Sequence, residues 1–233
     1  MPAICHDDIM SAFGKRKVAA LLSIEGADVI EGDLSMIRIF YHLGVRMVGL
    51  VHSRRNLIAD GVTDSRTGGG LSSFGVEVVE ELDSLGVIID VSHLNDERFW
   101  DLIDITASSL IASHSSCRAI CDHQRNLTDK QIVALAERDR VIGINFAPSF
   151  IHPSYATVER VVGHIDHIVT LVGPDHIGLG SDFDGIASTP VGLEDVSKIP
   201  NITRELIKRE YSEEDIRKIL GENHLRLFKR VIG

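Results

Sequence analysis

One strand–helix–strand unit is contained in residues 87–114, which read VIIDVSHLNDERFWDLIDITASSLIASH. An apolar run opens the unit, a helical pattern fills 97–105, and a second apolar run covers 108–112. Short apolar runs without alternation are typical of strands buried on both faces of a sheet. This order predicts two parallel strands joined by a right-handed crossover. One histidine follows each predicted strand, His93 after the first and His114 after the second.

The same alternation extends along the whole chain. We predict strands buried on both faces at residues 18–24, 46–51, 87–91, 108–112, 141–146 and 177–180. Helical spacing of apolar residues predicts helices at 9–17, 33–43, 75–85, 97–105, 128–136, 157–171, 201–209 and 212–228. No linker or change of composition interrupts this pattern, which predicts a single α/β domain over residues 1–233 with a parallel sheet.

The turn after the first predicted strand helps to distinguish a nucleotide-binding parallel sheet from a β/α barrel. It reads Glu25-Gly26-Ala27 and lacks the glycine-rich fingerprint of nucleotide-binding sheets, which favours a β/α barrel. Glycines 68–70 lie in a polar segment far from any strand end, and we interpret them as a flexible loop.

Composition and charge exclude several classes of protein. The 233 residues are 44% hydrophobic, which is sufficient for a folded core. A formal net charge of −10 argues against nucleic acid or an anionic membrane as the main partner. The three cysteines suit a reducing compartment. No apolar run approaches the ~20 residues of a membrane span, and the N-terminus has no signal-peptide pattern, so we predict a cytoplasmic protein without a membrane anchor.

Polar side chains occur at the carboxyl ends of all six predicted strands, with Asn145 inside the run 141–146. They are Glu25, His52, His93, His114, Asn145 and the pair Asp182 and Asp184. In a β/α barrel the carboxyl ends of the strands meet on the face that carries the active site. Imidazole, imidazole and carboxylate from three strands suit a divalent metal, with zinc the first choice. A carboxylate such as Glu25 can also bridge two ions ~3.5–4 Å apart.

Other polar residues are more simply explained as structural. On its own, His52 is typical of a hydrogen-bonded core histidine, and Arg125 of a solvated loop charge. His164 and His167 share one helix, and we predict that they lie on its surface face. Cysteines 117 and 121 lack a second cysteine pair and therefore do not predict a zinc ribbon.

Taken together, nine short segments resemble the zinc-dependent membrane (renal) dipeptidases, in the right order from about residue 17 to the C-terminus. The matching segments are SIEG at 23–26, LVHS at 50–53, DVSH at 90–93, ASHSS at 112–116, RNLTD at 125–129, NF at 145–146, GSDFDG at 180–185, GLEDV at 192–196 and GENHLR at 221–226. The resemblance implies a TIM-type (β/α)8 barrel. It also implies a two-zinc centre that hydrolyses dipeptides through a metal-bound hydroxide, in some members with a D-residue at the second position. Family members often pair, which implies a homodimer.

The resemblance assigns roles to individual side chains. Glu25 resembles the carboxylate that bridges both zinc ions, and His93 and His114 resemble the histidines that complete one of the two sites. His52 resembles a substrate-binding histidine that steadies the tetrahedral oxyanion.

The remaining roles concern the substrate. Arg125 resembles the arginine that binds the free carboxylate of the dipeptide, and Asp182 the acid that takes a proton from the bridging hydroxide. Asn145 belongs to a matching segment and is predicted to contact substrate. The predicted catalytic residues are therefore Asp182, Glu25 and His52.

One part of the family pattern has no counterpart in this sequence. The family begins with a strand that ends in His-x-Asp, and these two residues hold the other metal. By analogy the six predicted strands are the third to eighth of the barrel, so the first two are missing. His6-Asp7-Asp8 follows no predicted strand, and Asp7 or Asp8 is expected to cap the helix from Ile9.

Two alternatives to an active dipeptidase stay open. A catalytically impaired or dead remnant would only bind metal or peptide. Another barrel amidohydrolase is the second alternative, although such enzymes usually carry His-x-His on the first strand.

Overall fold

The computed structural model describes residues 1–64, 70–106 and 110–233. Contacts divide the chain into two compact units, one formed by Met1–Ile111 with Leu225–Gly233 and the other by Ala112–His224. The single domain over 1–233 stays a prediction. Glycines 68 and 69 of the predicted loop, and the first two residues of the predicted strand 108–112, lie outside the described residues.

The first unit is built on a parallel sheet with the strand order β1-β2-β3-β4-β5. Its strands are β1 (Pro2–Ala3), β2 (Ala20–Glu25), β3 (Val45–Gly49), β4 (Ile88–Asp90) and β5 (Leu110–Ile111). Its helices are α1 (His6–Gly14), α2 (Ser35–His42), α3 (Ser73–Leu85) and α4 (Asp96–Ile105), with a 3-10 turn at Ala27–Ile30. The predicted strands and helices after residue 17 are therefore found in this unit, with bounds that differ by a few residues.

Local signals explain how strand β4 is placed. The Ser72 hydroxyl accepts from the Gly75 amide and starts α3, which ends at Gly86 in the left-handed conformation (φ 67°). Ile88 and Ile89 of β4 are then fully buried. The Asn95 side chain accepts from the Arg98 amide and starts α4. The turn between β4 and α4 is thus fixed at both ends, and it contains His93.

Strand β2 differs from the expectation of a strand buried on both faces. Val18, just before it, is 83% exposed, and Leu22 within it is 50% exposed. On one side β2 pairs only with the two residues of β1. β3 pairs with Leu22, Ser23, Ile24 and Glu25 on the other side, so β2 is a paired strand whose apolar side chains stay partly exposed.

The N-terminal segment also differs from the expectation. A short strand, β1, precedes His6, and α1 begins at His6 instead of Ile9. The residue at the N-cap position is Cys5, which makes no side-chain capping bond, and the Asp8 carboxylate accepts from the Ile4 amide at 3.0 Å. The statement that His6-Asp7-Asp8 follows no strand is therefore wrong.

The second unit contains two parallel strands, β6 (Ile142–Asn145) and β7 (Ile177–Ser181). Its helices are α5 (Asp129–Glu137), α6 (Pro148–Ile151), α7 (Val158–Val172), α8 (Pro200–Lys208) and α9 (Glu213–Arg217), with 3-10 turns at Pro174–His176 and Val196–Lys198. The single helix predicted over 212–228 is wrong: α9 is followed by a π-helical segment (Lys218–Glu222) and by α10 (Asn223–Ile232). No described helix has the length and apolarity that crossing a membrane requires.

Two residues of the GENHLR segment, Asn223 and His224, have structural contacts near strand β7. The buried amide of Asn223 donates to the carbonyls of Pro174 and Ile177, both at 2.8 Å. The imidazole of His224 packs so closely on Gly178 that a Cβ there would lie 2.2 Å from a ring atom. This segment therefore fixes the beginning of β7.

Candidate active site

The carboxyl ends of the strands in the first unit lie side by side. Glu25 pairs with Gly49, Gly49 with Asp90, and Asp90 with Ile111, so these four residues form one row across the sheet. His93 comes three residues after Asp90 and His52 three residues after Gly49. The functional side chains of this unit thus project from one edge of the sheet.

Glu25 and His93 are in direct contact at this edge. The His93 Nε2 lies 3.0 Å from the Glu25 Oε1, with the imidazole almost buried and the carboxylate about half exposed. In this contact the donor and acceptor roles depend on the tautomer of His93. Each of the two groups offers one ligand atom to a metal ion. The donor set therefore fits a divalent cation, which would replace the proton between them.

His52 stands next to this pair. The His52 and His93 ring centroids are 4.6 Å apart with the planes tilted by 36°. A Cβ on Gly26, which has a φ of 91°, would lie 3.1 Å from the His52 Cβ, so the glycine after Glu25 leaves room for this side chain. His52 is exposed, and its interpretation as a core histidine is wrong.

In the second unit, His114 is buried and held by its neighbour. The Ser113 hydroxyl lies 2.6 Å from His114 Nδ1. A Cβ at Gly143 or Gly180 would lie 2.2 or 2.3 Å from the Ser113 carbonyl oxygen. Glycine at these two strand positions is what allows the backbone to approach Ser113 so closely.

Arg125 is buried as well, with 7% of its surface exposed. Its Nη2 donates to the His114 carbonyl at 3.4 Å, and its guanidinium carbon lies 5.6 Å from the centre of the Phe150 ring. The interpretation of Arg125 as a solvated loop charge is therefore wrong. A buried guanidinium is suited to hold a carboxylate through two parallel hydrogen bonds.

Asn145 and Asp182 form a hydrogen-bonded pair at the ends of β6 and β7. The fully buried Asn145 amide donates to Asp182 Oδ2 at 3.0 Å, while its oxygen accepts from the Ala147 amide at 2.5 Å. Asp182 adopts a left-handed φ of 74°, a conformation that is common at functional sites when surrounding contacts enforce it. Asp182 is thus held with one oxygen fixed by the amide.

A cavity of about 500 Å³ lies in the second unit, between residues 147–155 and 186–188. Its lining includes Ala147, Phe150, Tyr155 and Ile186. The lining also includes the polar residues Ser149, His152, Ser154 and Ser188, so apolar and polar side chains surround a space whose size suits a small organic ligand.

His164 does not lie on a surface. It is fully buried, with Nδ1 accepting from the Cys117 amide and Nε2 donating to the Ile151 carbonyl, both at 3.0 Å. Burial lowers its pKa to about 4. His167 is one quarter exposed and contacts Asp129. The predicted surface position is thus wrong for His164, which joins three segments of the second unit as a neutral ring.

Two hydroxyls were missed by the sequence analysis. Ser53 and Ser113 contact the Nδ1 atoms of His93 and His114, at 2.9 and 2.6 Å. Each serine is next to a histidine in sequence, in His52-Ser53 and Ser113-His114. Serine next to histidine is too common a pair to predict such contacts.

Imidazole and carboxylate groups at the carboxyl edge of a parallel sheet are typical of metal-dependent hydrolases with β/α folds. A sequence model of the membrane dipeptidase family (peptidase family M19) matches residues 1–232, and the chain belongs to this family. The suspected resemblance is therefore confirmed.

Individual relatives agree with this assignment. The dipeptidase tcpJ of Claviceps purpurea is 40% identical over 228 residues, which are 97% of this chain and 54% of that protein. An uncharacterized dipeptidase of Schizosaccharomyces pombe is 42% identical over 221 residues, 93% of this chain and 54% of that protein. The chain thus spans just over half the length of these curated relatives.

A solved structure agrees as well. The metallo peptidase of Rhodobacter sphaeroides, liganded with a phosphinate mimic of the dipeptide L-Ala-D-Ala, matches with a TM-score of 0.93 and 32% identity. The match covers 99% of this chain and 68% of that chain. It confirms the predicted α/β fold class with parallel strands, and a metallopeptidase relative implies a metal.

Proposed function

We propose that this chain hydrolyses dipeptides with zinc held by Glu25, His93 and His114. The contact between Glu25 and His93 carries this proposal, because it joins a carboxylate and an imidazole at the ends of two strands. When bound, zinc polarises a carbonyl and lowers the pKa of water towards ~7.

The sheet register supports His114 as the third ligand. His52, His93 and His114 each come three residues after a member of the row Gly49, Asp90 and Ile111. In both predicted histidine ligands a serine hydroxyl contacts Nδ1, which leaves Nε2 for the metal.

The other predicted residues have properties that suit a dipeptide. The exposed imidazole of His52 can donate to the oxyanion that develops on the scissile carbonyl. The buried guanidinium of Arg125 can bind the terminal carboxylate, which would measure a short peptide from its C-terminus. The Asp182 carboxylate, held by Asn145, can accept a proton.

We further propose that the substrates include dipeptides with a D-residue at the second position. The support is the L-Ala-D-Ala mimic bound by the Rhodobacter sphaeroides relative. A second zinc would need ligands beyond Glu25, His93 and His114, and a protein that only binds metal or peptide is the alternative. The homodimer and the cytoplasmic location stay predictions.

Zinc content and peptide hydrolysis test the proposal together. The purified chain is stripped of metal with a chelator, titrated with zinc, and assayed with L-Ala-D-Ala and L-Ala-L-Ala. We expect at least one zinc per chain and zinc-dependent release of alanine. Zinc binding without hydrolysis would favour the binding-only alternative, and a chain that takes up no zinc would refute the proposal.

Matched histidine variants show whether the site is the one described. His93→Ala removes the ring that contacts Glu25, and we expect it to lose both zinc and hydrolysis. His167→Ala removes a partly exposed ring whose Nε2 contacts the Asp129 carboxylate at 2.8 Å. It should keep the zinc content of the wild type. Equal zinc content in the two variants would exclude His93 as a ligand.

A further inference from the structure

We propose that Ser53 is a positioning residue whose hydroxyl orients the imidazole of His93 for metal binding. This inference rests on the proposed function, because it assumes that His93 is a ligand. It assigns to Ser53 a role that is separate from those of Glu25 and His52.

The imidazole of His93 has a contact on each ring nitrogen. Its Nε2 lies 3.0 Å from Glu25 Oε1 and its Nδ1 lies 2.9 Å from Ser53 Oγ. A metal ion held by Nε2 would leave the ring hydrogen on Nδ1, where the Ser53 hydroxyl is placed to accept it.

A hydroxyl suits this place because it carries one donor and two acceptor sites, and its hydrogen rotates to suit the partner. The contact between Ser53 Oγ and His93 Nδ1 therefore fixes the plane of the ring and leaves Nε2 at the side of Glu25.

The backbone shows that Ser53 is held in this position. Ser53 and His93 both adopt left-handed conformations, with φ of 57° and 73°. The Ser53 carbonyl accepts from the amide and the hydroxyl of Thr63, at 3.0 and 2.6 Å, and the His93 carbonyl accepts from the Val62 amide at 2.9 Å. Unfavourable φ values persist only where surrounding contacts enforce them.

Gly61 is a further part of this arrangement. A Cβ at Gly61 would lie 2.3 Å from the Ser53 carbonyl oxygen and 2.8 Å from the Arg54 amide nitrogen. Any other residue at this position would push the backbone of Ser53 away. Residues 61–63 thus connect to both members of the Ser53–His93 pair.

The second unit repeats the arrangement independently. The Ser113 hydroxyl lies 2.6 Å from the Nδ1 of His114, the other predicted histidine ligand. Both predicted histidine ligands therefore have the same kind of partner on the same ring nitrogen. Ser53 lies 40 residues before His93 in the chain, whereas Ser113 directly precedes His114.

The test compares Ser53→Ala and Ser53→Gly with the wild type. Both variants lack the hydroxyl, but glycine relieves the left-handed φ and alanine does not. Zinc affinity is measured by competition with a chromophoric chelator, and the hydrogen on His93 Nδ1 is followed by nitrogen NMR of the zinc-loaded protein. We expect zinc to bind roughly 10- to 100-fold more weakly in both variants, because an orienting partner of a metal ligand is lost.

The NMR signal separates orientation from simple structural damage. In the zinc-loaded wild type the hydrogen on His93 Nδ1 should be protected from exchange, and in both variants this protection should be lost. Ser84→Ala serves as the control, because its hydroxyl donates to the Glu81 carbonyl at 2.8 Å on an exposed part of α3. It should leave zinc affinity and the His93 signal unchanged.

Each outcome of these measurements supports or overturns the proposed role of Ser53. Wild-type zinc affinity in Ser53→Ala and Ser53→Gly overturns the role of Ser53 and leaves the proposed function intact. A wild-type chain that binds no zinc overturns both. Weaker zinc binding in Ser53→Ala alone attributes the effect to backbone strain and also overturns the inference.

Discussion

The pair formed by Asn145 and Asp182 allows a quantitative prediction for Asn145→Asp. The substitution keeps the shape of the side chain and an oxygen for the Ala147 amide, but it replaces the donor that faces Asp182 Oδ2 at 3.0 Å. Two carboxylates at 3.0 Å repel each other by about 5.5 kcal/mol at an effective dielectric constant of about 20. Keeping one proton on the pair at pH 7 costs about 1.36 kcal/mol for each of roughly 3 pH units, or about 4 kcal/mol. Keeping the proton costs less than the repulsion between two carboxylates, so the pair should retain one proton at pH 7.

The sign of the pH dependence follows from linkage. The pKa of the pair in the folded variant is raised above the ordinary value near 3.9, so above that pH the folded variant binds one more proton than the unfolded chain. Its stability relative to the wild type therefore falls as the pH rises. We expect the loss in unfolding free energy to be small near pH 4 and about 4 kcal/mol near pH 7.

Urea unfolding of both proteins between about pH 5 and about pH 8 measures this difference. The double variant Asn145→Asp with Asp182→Asn is the matched control, because it exchanges amide and carboxylate and keeps the net charge. It should recover most of the stability and lose the extra pH dependence. A constant difference between Asn145→Asp and the wild type at every pH would refute the hydrogen bond on which the reasoning depends.

Three other predictions concern metal, substrate and pH. His114→Ala should lose bound zinc by elemental analysis, and unchanged zinc would remove His114 from the ligand set. Arg125→Lys should raise the KM for dipeptides by about tenfold or more at constant zinc content, because lysine cannot make the two-bonded contact; an unchanged KM would contradict the carboxylate role. His164 stays neutral when the unfolded chain takes up a proton, so wild-type stability should fall by about 2 kcal/mol between about pH 6.5 and pH 5. Urea unfolding of His164→Gln should show a fall in stability that is smaller by this amount. Equal pH profiles of the variant and the wild type would refute the prediction.

The sequence was sufficient for the strands and helices with strong patterns. Apolar runs such as 87–91 and 141–146 contain β4 and β6, since a strand buried on both faces needs no distant information to be recognised. Strand β1 has only two residues, which is too short for any periodic signal. The break at Lys218–Glu222 was also missed, because the apolar spacing continues through it.

The burial of single polar residues could not be predicted in the same way. His164 looks like a surface residue in a helical pattern, yet its partners Cys117 and Ile151 are 47 and 13 residues away in the chain. Arg125 carries a charge that is usually exposed, and its burial depends on Phe150 and on the carbonyl of His114. Such contacts are set by tertiary structure, which a local pattern does not contain.

Exposed apolar side chains of the first unit bear on how this protein should behave in concentrated solution. Phe13 and Val18 are 78% and 83% exposed, and Leu22 and Leu43 are 50% and 68% exposed. Apolar side chains of this kind attract a second copy, while the net charge of −10 repels it. The repulsion is screened within ~10 Å at 0.1 M salt, whereas the apolar attraction is not weakened by salt. Light scattering should therefore detect growing particles as salt is added, and dilute, low-salt buffers should keep the protein monodisperse.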